Sequence, residues 1–378
     1  MPDDLKRAGA PARRSFVLPG TGVVLNSDGS AVFRLRANVG AKVIVTIGNN
    51  PDKAVTLELQ DVNHEGIYET KLENPPFMGP QKLTFRVNDV MLLNTSAPMW
   101  YYANTLSNYV EFPDPETDDL IAAREDIPHG AVAHEFYFSK SFGKFVSSVV
   151  YTPPGYEKGG DYPVLYFFHE VAENETAWTE ASRMNYVLDN LIAEKKCQPF
   201  LVVENDCTVR LDYHDFPEEE WFTYYAPLEK FMREDCPQYI ASRYRVRDDK
   251  WNRAIAGVGL GAVQAGYIGL RNTDVFGSLG VFTAFWPSTD FHSRGIDDPF
   301  YNAVRHVSQH PEELKVFYHS EGDEDGHFQG VQAERELITS LGVDKHPGYV
   351  FKVYHQTHNW GSYRRSFRDF APLLFCED

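Results

Sequence analysis

The stretch "AIAGVGLGAVQAGYIGL", residues 254–270, decides how this chain is read. Its first five residues are small and apolar, as a strand buried on both faces requires. Gly257 belongs to that run and Gly259 and Gly261 follow it, after which apolar residues continue at helical spacing. The pattern is strand, tight turn, helix. Only glycine enters strained backbone regions freely, so the three glycines mark a sharp corner. The middle of that corner, Gly259, has no side chain.

Working outward, the C-terminal two thirds repeat the alternation of strand and helix. "FVSSVVYTPP" (145–154), "YPVLYFFHE" (162–170), "PFLVVEND" (199–206), "LGVFTAF", "LKVFYHSEG" and "YVFKVYH" read as strands. "ASRMNYVLDNLIAEKK" (181–196), "TYYAPLEKFMREDCPQYIASRY" (223–244), "GVQAERELITSLG" and "GSYRRSFRDFAPLLF" read as helices. Such alternation predicts an α/β domain with a mostly parallel sheet. Residues 16–100 differ. "AVFRLRA", "AKVIVTIG", "AVTLELQ", "GIYETKL" and "KLTFRVNDV" are short strands separated by turn signals, the pattern of an all-β sandwich. We therefore expect a flexible lead-in at 1–14, a β-sandwich over 15–110, a Pro- and acid-rich linker over 111–130, and the α/β domain over 131–378.

The composition narrows the partners. Hydrophobic residues make up 43% and aromatics 14%, enough for two cores. The net charge of −18 disfavours nucleic acid and anionic membranes. No apolar run has the ~20 residues that a spanning helix needs. Four cysteines without metal-ligand spacing, and no apolar stretch behind Met1, make a cytoplasmic location the expectation.

Several stretches carry a resemblance. "YTPPGYEKGGDYPVLYFFH" (151–169), "NETAWTEASRMNYVLDNLIAEKK" (174–196), "RAIAGVGLGA" (253–262), "HSEGDEDG" (319–326) and "THNWGSYRRSFRDFAPLLF" (357–375) follow one another in order and spacing. In these the chain resembles the esterase family of α/β-hydrolases that includes feruloyl and acetyl-xylan esterases, the esterase-D type and enterochelin esterases. The N-terminal part resembles the immunoglobulin-like (E-set) module that precedes many of them. The resemblance implies a serine triad. A nucleophile stands in a G-x-S-x-G turn, a histidine acts as base, and an acid orients it.

The resemblance places His358 as the base and Asp325 as the acid, with Asp323 and Glu324 adjacent enough to compete. It places Gly259 at the nucleophile position, where no hydroxyl or thiol exists. The oxyanion donors fall to the N–H of Leu260 and the 170–172 loop, with Glu170 and Val171 named first. Relatives carry a glycine-rich run after the histidine, whereas this chain has "HEVAENET". Glu170 and Glu173 bring negative charge towards a site built to stabilise an oxyanion, which opposes the chemistry if either points in. Trp178, Trp286 and Trp360 are the candidate rings for stacking on a phenolic or sugar ligand.

The expected function is a serine-hydrolase-like protein of this family that is impaired or inactive in ester hydrolysis. Two alternatives stand beside it: an enzyme using His358 as general base on water, and a non-catalytic carbohydrate- or phenolic-binding protein. No cofactor and no metal are expected. The expected partners are a small-molecule ester, phenolic or carbohydrate ligand and a second copy of the chain, with neither nucleic acid nor membrane.

Overall fold

The computed structural model describes residues 22–48, 53–102, 105–208, 221–283 and 299–376. The lead-in at 1–14 lies outside them. The chain divides into two compact units, Met1–Ala123 with Asn359–Gly361, and Arg124–His358 with Ser362–Asp378.

In the first unit, strands β1 (Gly22–Leu25), β2 (Ala31–Arg36) and β5 (Ile67–Leu72) form one antiparallel sheet in the order β1-β2-β5. A second sheet runs β4 (Val55–Leu59), β3 (Val43–Ile47), β6 (Gly79–Val87), β9 (Thr105–Phe112) and β8 (Met99–Tyr102), with β7 (Val90–Leu92) on β6. Alternation explains the packing. Along "VIVTI", Val43, Val45 and Ile47 point inward and are fully buried. They share one core with Phe33 and Leu35 of β2 and Phe85 of β6. Two sheets closing on a single apolar layer make a sandwich.

In the second unit the described strands form one eight-stranded sheet in the order β10-β11-β13-β12-β14-β15-β16-β17. These are β10 (Ala131–Ser139), β11 (Lys144–Thr152), β12 (Val164–Phe168), β13 (Leu201–Asn205), β14 (Arg253–Val258), β15 (Ser278–Phe282), β16 (Val316–Gly322) and β17 (Tyr349–Tyr354). Strand β11 is antiparallel to β10 and to β13, and β12 to β17 are mutually parallel. The sheet is the mostly parallel one that the alternation predicts. Strand β10 was not read from the sequence, because Phe136 and Phe138 stand on its exposed face and blur the apolar–polar alternation. The segment 223–244 is not one helix. It runs Trp221–Lys230, a wide turn at Phe231–Asp235, then Cys236–Arg243, which takes Pro237 in its first turn where the missing N–H does no harm.

Sequence neighbours on the sheet change side at β12, which pairs with β13 on one edge and β14 on the other. In open α/β sheets the crevice beyond the strand ends at such a switch point is where ligands bind. The ends of β12 and β14 meet there, with Phe168 opposite Gly257. The helix Leu260–Arg271 follows at once and is buried over nearly its whole length. Ile255 and Leu279 beneath it are fully buried, each worth about 1.5–3 kcal/mol of apolar burial. The corner needs its outer glycines. A Cβ on Gly257 would strike the backbone of Gly261, and one on Gly261 would strike the carbonyls of Phe168 and His169.

Candidate active site

Gly259 sits at the corner between β14 and the helix, with φ 52° and ψ −119°. Its N–H donates to the Phe282 carbonyl, and its own carbonyl accepts from Ala262 and Val263. This places the first helical N–H groups at the mouth of the turn, where they attract negative charge.

That charge is present within the protein. Glu170 follows β12 by two residues, and its carboxylate reaches back to the corner. Oε1 accepts from the N–H of Leu260 at 3.0 Å and from its own neighbour Val171 at 2.5 Å. Oε2 accepts from His358 Nε2 at 2.8 Å and from the Tyr363 hydroxyl at 3.2 Å. A Cβ built on Gly259 would fall on this carboxylate. Glu170 was expected to offer a backbone N–H; it enters the site through its side chain instead. His169, at the end of β12, holds the loop by donating from Nδ1 to the Glu170 carbonyl at 2.8 Å. Ala172 takes the left-handed region at φ 61°, a position that a glycine fills without strain.

His358 is held on both sides. Its Nδ1 bonds Asp325 Oδ2 at 2.6 Å while Nε2 bonds Glu170. Both partners are carboxylates, which only accept, so both ring nitrogens carry protons. Burial alone would lower the His358 pKa, but the hydrogen bonds and charges of Asp325 and Glu170 hold it well above the usual imidazole range. Burial would raise Glu170, and His358 with the two N–H donors more than reverses that, so the carboxyl stays ionised. Asp325 is likewise lowered against its burial, chiefly by His358. Behind it, burial and the Asp325 charge push Glu321 up to about 9. The competing acids point elsewhere. Asp323 and Glu324 lie beside His355, at 3.1 Å and 3.5 Å.

Ligand atoms of Asp325, His327 and His358 lie within 4.8 Å of one another, so these three could reach one cation. Asp325 and His358 are already engaged with each other, and the imidazolium form of His358 cannot ligate.

The candidate stacking rings fare differently. Trp178 is buried between Tyr151 and Phe367, with ring centroids at 5.6 Å and 5.5 Å. It presents no open face, so the structure places it in the core. Trp360 is also buried. Trp286 lies outside the described residues. Tyr363, which the sequence reading did not single out, touches the site through its hydroxyl. Its spacing five residues beyond His358, on the following helix, was the only available signal.

The pattern of the family described as Putative esterase matches residues 139–374. An endo-1,4-beta-xylanase/feruloyl esterase of Xylanibacter ruminicola is 28% identical over 362 residues, covering 93% of this chain and 46% of that protein. This chain thus spans about half the length of that curated relative. Among solved structures, a ferulic acid esterase from Anaeromyces mucronatus superposes with a TM-score of 0.55 at 21% identity, over 68% of this chain and 95% of the other. The enterobactin esterase of Shigella flexneri gives 0.61 at 14% identity, over 91% and 92%. At these identities the superpositions speak to the fold.

Proposed function

Because the chain belongs to the Putative esterase family, we propose that it is a hydrolase-type protein whose serine has been replaced by a carboxylate from the neighbouring loop. It is inactive in ordinary acyl-enzyme ester hydrolysis. The observation that carries this reading is the Glu170 carboxylate, which lies where a side chain on Gly259 would stand and fills the N–H pair of Leu260 and Val171. In a serine esterase that pair would receive the oxyanion of the tetrahedral intermediate. An ester carbonyl approaching this corner meets a bound anion and no nucleophilic hydroxyl.

The same contacts weigh against His358 as general base on water in the resting protein. An imidazolium pinned between two carboxylates has no lone pair to offer. The ligand class suggested by the relatives is an aromatic acyl ester or its carbohydrate-bound form. The charges of Glu170 and Asp325 favour neutral ligands over free carboxylates.

The test is direct. The native protein is assayed on methyl ferulate and on an aryl acetate, and probed with a serine-directed fluorophosphonate. The reading expects neither turnover nor labelling. Turnover by the native chain on either ester would overturn it.

A further inference from the structure

The loss of a serine leaves one feature unexplained. The two backbone donors, His358 and Asp325 remain in working geometry around a different residue. We infer that Glu170 is itself a nucleophile, and that this site opens an uncharged epoxide through a covalent glutamyl ester. This rests on the preceding reading only in taking Glu170 as the group that stands in place of the serine.

The geometry divides the carboxylate into two unlike oxygens. Oε1 is held by Leu260 N–H and Val171 N–H, as a carbonyl oxygen would be. Oε2 faces His358 and the Tyr363 hydroxyl on the other side. If Oε2 becomes bonded to carbon, Glu170 is an ester whose carbonyl oxygen already lies between two N–H donors and beside a histidine–aspartate pair. The retained parts are those needed to hydrolyse an ester of Glu170 itself.

Carboxylate chemistry sets the electrophile. Attack on an ester carbonyl by Oε2 gives a tetrahedral intermediate that expels the carboxylate again, because it is a far better leaving group than an alkoxide. Attack on a saturated carbon has no such return path. In the first step Oε2 forms a C–O bond to an epoxide carbon and the ring C–O bond breaks. The released alkoxide takes the proton that His358 holds. That transfer is favoured because Glu170 has lost its charge, leaving the imidazole one carboxylate partner in place of two. An epoxide suits this pairing because its ring-opened oxygen remains tethered in the site and needs one proton.

In the second step neutral His358, oriented by Asp325, takes a proton from water, and the hydroxide adds to Cδ of the glutamyl ester. The oxyanion forms on Oε1 between its two donors. Collapse breaks the bond between Cδ and the alkyl oxygen. The water's second proton, carried on the new carboxyl, passes to that departing oxygen. Glu170 is again a carboxylate, His358 again an imidazolium, and epoxide plus water has become a diol.

The experiment uses styrene oxide. In His358→Gln water must supply the proton of the first step and nothing activates water for the second, so the adduct should form slowly but persist. On prolonged incubation the intact mass should rise by one epoxide per chain, with the adduct mapped to Glu170. The exposed thiol of Cys376 is the expected background, so Cys376→Ser is carried throughout. Adding Glu170→Gln should abolish the adduct. A second measurement uses the chain with both Glu170 and His358 intact. Turnover in heavy-oxygen water should place the heavy isotope in the Glu170 peptide, and the first-turnover diol should lack it. Heavy oxygen entering the diol directly with none in Glu170, no diol at all from the chain with both residues intact, or an adduct that persists once Glu170→Gln is added overturns the inference. Turnover of methyl ferulate by the native protein would instead sink the preceding reading, and is scored in a separate assay.

Discussion

The carboxylate of Glu170 and the missing side chain of Gly259 claim the same space. A Cβ on Gly259 would fall on Oε2 and Cδ of Glu170. The two residues lie in different loops, yet neither can be changed without reference to the other. Glycine at 259 also relieves a backbone that is unfavourable for any other residue, at φ 52° and ψ −119°.

Gly259→Ser alone should therefore destabilise the protein. Overpacking against Glu170 and strain at the corner together cost about 2–4 kcal/mol. Thermal unfolding reads this as a lower Tm. In the Glu170→Gly background the same substitution should cost only the strain. Equal losses in both backgrounds would mean that Glu170 does not occupy the space.

His358 should remain an imidazolium well above its ordinary range, because Asp325 and Glu170 flank it. Glu170→Gln removes one of those charges, so the titration should move down. Imidazole resonances followed by NMR against pH check this. An unchanged midpoint in the variant would remove Glu170 from contact with the ring.

Glu321 predicts a stability profile. Its folded pKa of about 9 lies above the ordinary 4.5. A raised value means that the folded state keeps a proton the unfolded chain releases. That contribution is complete below the ordinary value and is lost as pH rises through 9. His358 acts in the same direction above its ordinary value of 6.5. The slope from one such group is at most about 1.4 kcal/mol per pH unit. Glu321→Gln should flatten the fall of Tm between mildly acidic and alkaline pH. A native Tm that rises with pH over that window would contradict the assignment.

Asp189 ties the opening of β10 to the helix Met184–Ala193. It accepts from His129 Nδ1 at 2.9 Å, Gly130 N–H at 3.0 Å and the Tyr151 hydroxyl at 2.5 Å. Asp189→Ala leaves the buried Tyr151 hydroxyl without this acceptor and should cost about 1–3 kcal/mol. Asp189→Asn, which keeps one acceptor oxygen, should cost less. Chemical denaturation of the two variants separates these outcomes.

Much of the architecture was legible because it rests on periodicity. Alternation in "VIVTI" and unbroken apolar runs such as "VLYFF" follow from how many faces a strand buries. The glycines at 257 and 261 were legible for a related reason, since only a residue without a Cβ lets the corner pass so close to β12. The segments carrying Asp325 and His358 could be paired by their order, and the structure sets those side chains 2.6 Å apart. What could not be read was the direction of Glu170. Its charge was visible, but whether a loop carboxylate faces solvent or the corner depends on contacts ninety residues away in sequence. Trp178 failed for the opposite reason: an aromatic beside a loop looks the same in sequence whether it lines a cleft or fills a core.

The measurement that tests the central claim most directly is methyl ferulate hydrolysis by Gly259→Ser set beside Gly259→Ser/Glu170→Gly. If Glu170 fills both the hydroxyl's place and the two backbone donors, only the double variant gains turnover, because only there are the oxygen, the open donor pair and a freed His358 present together. Equal turnover by the single variant, or turnover by the unaltered chain, would contradict the account.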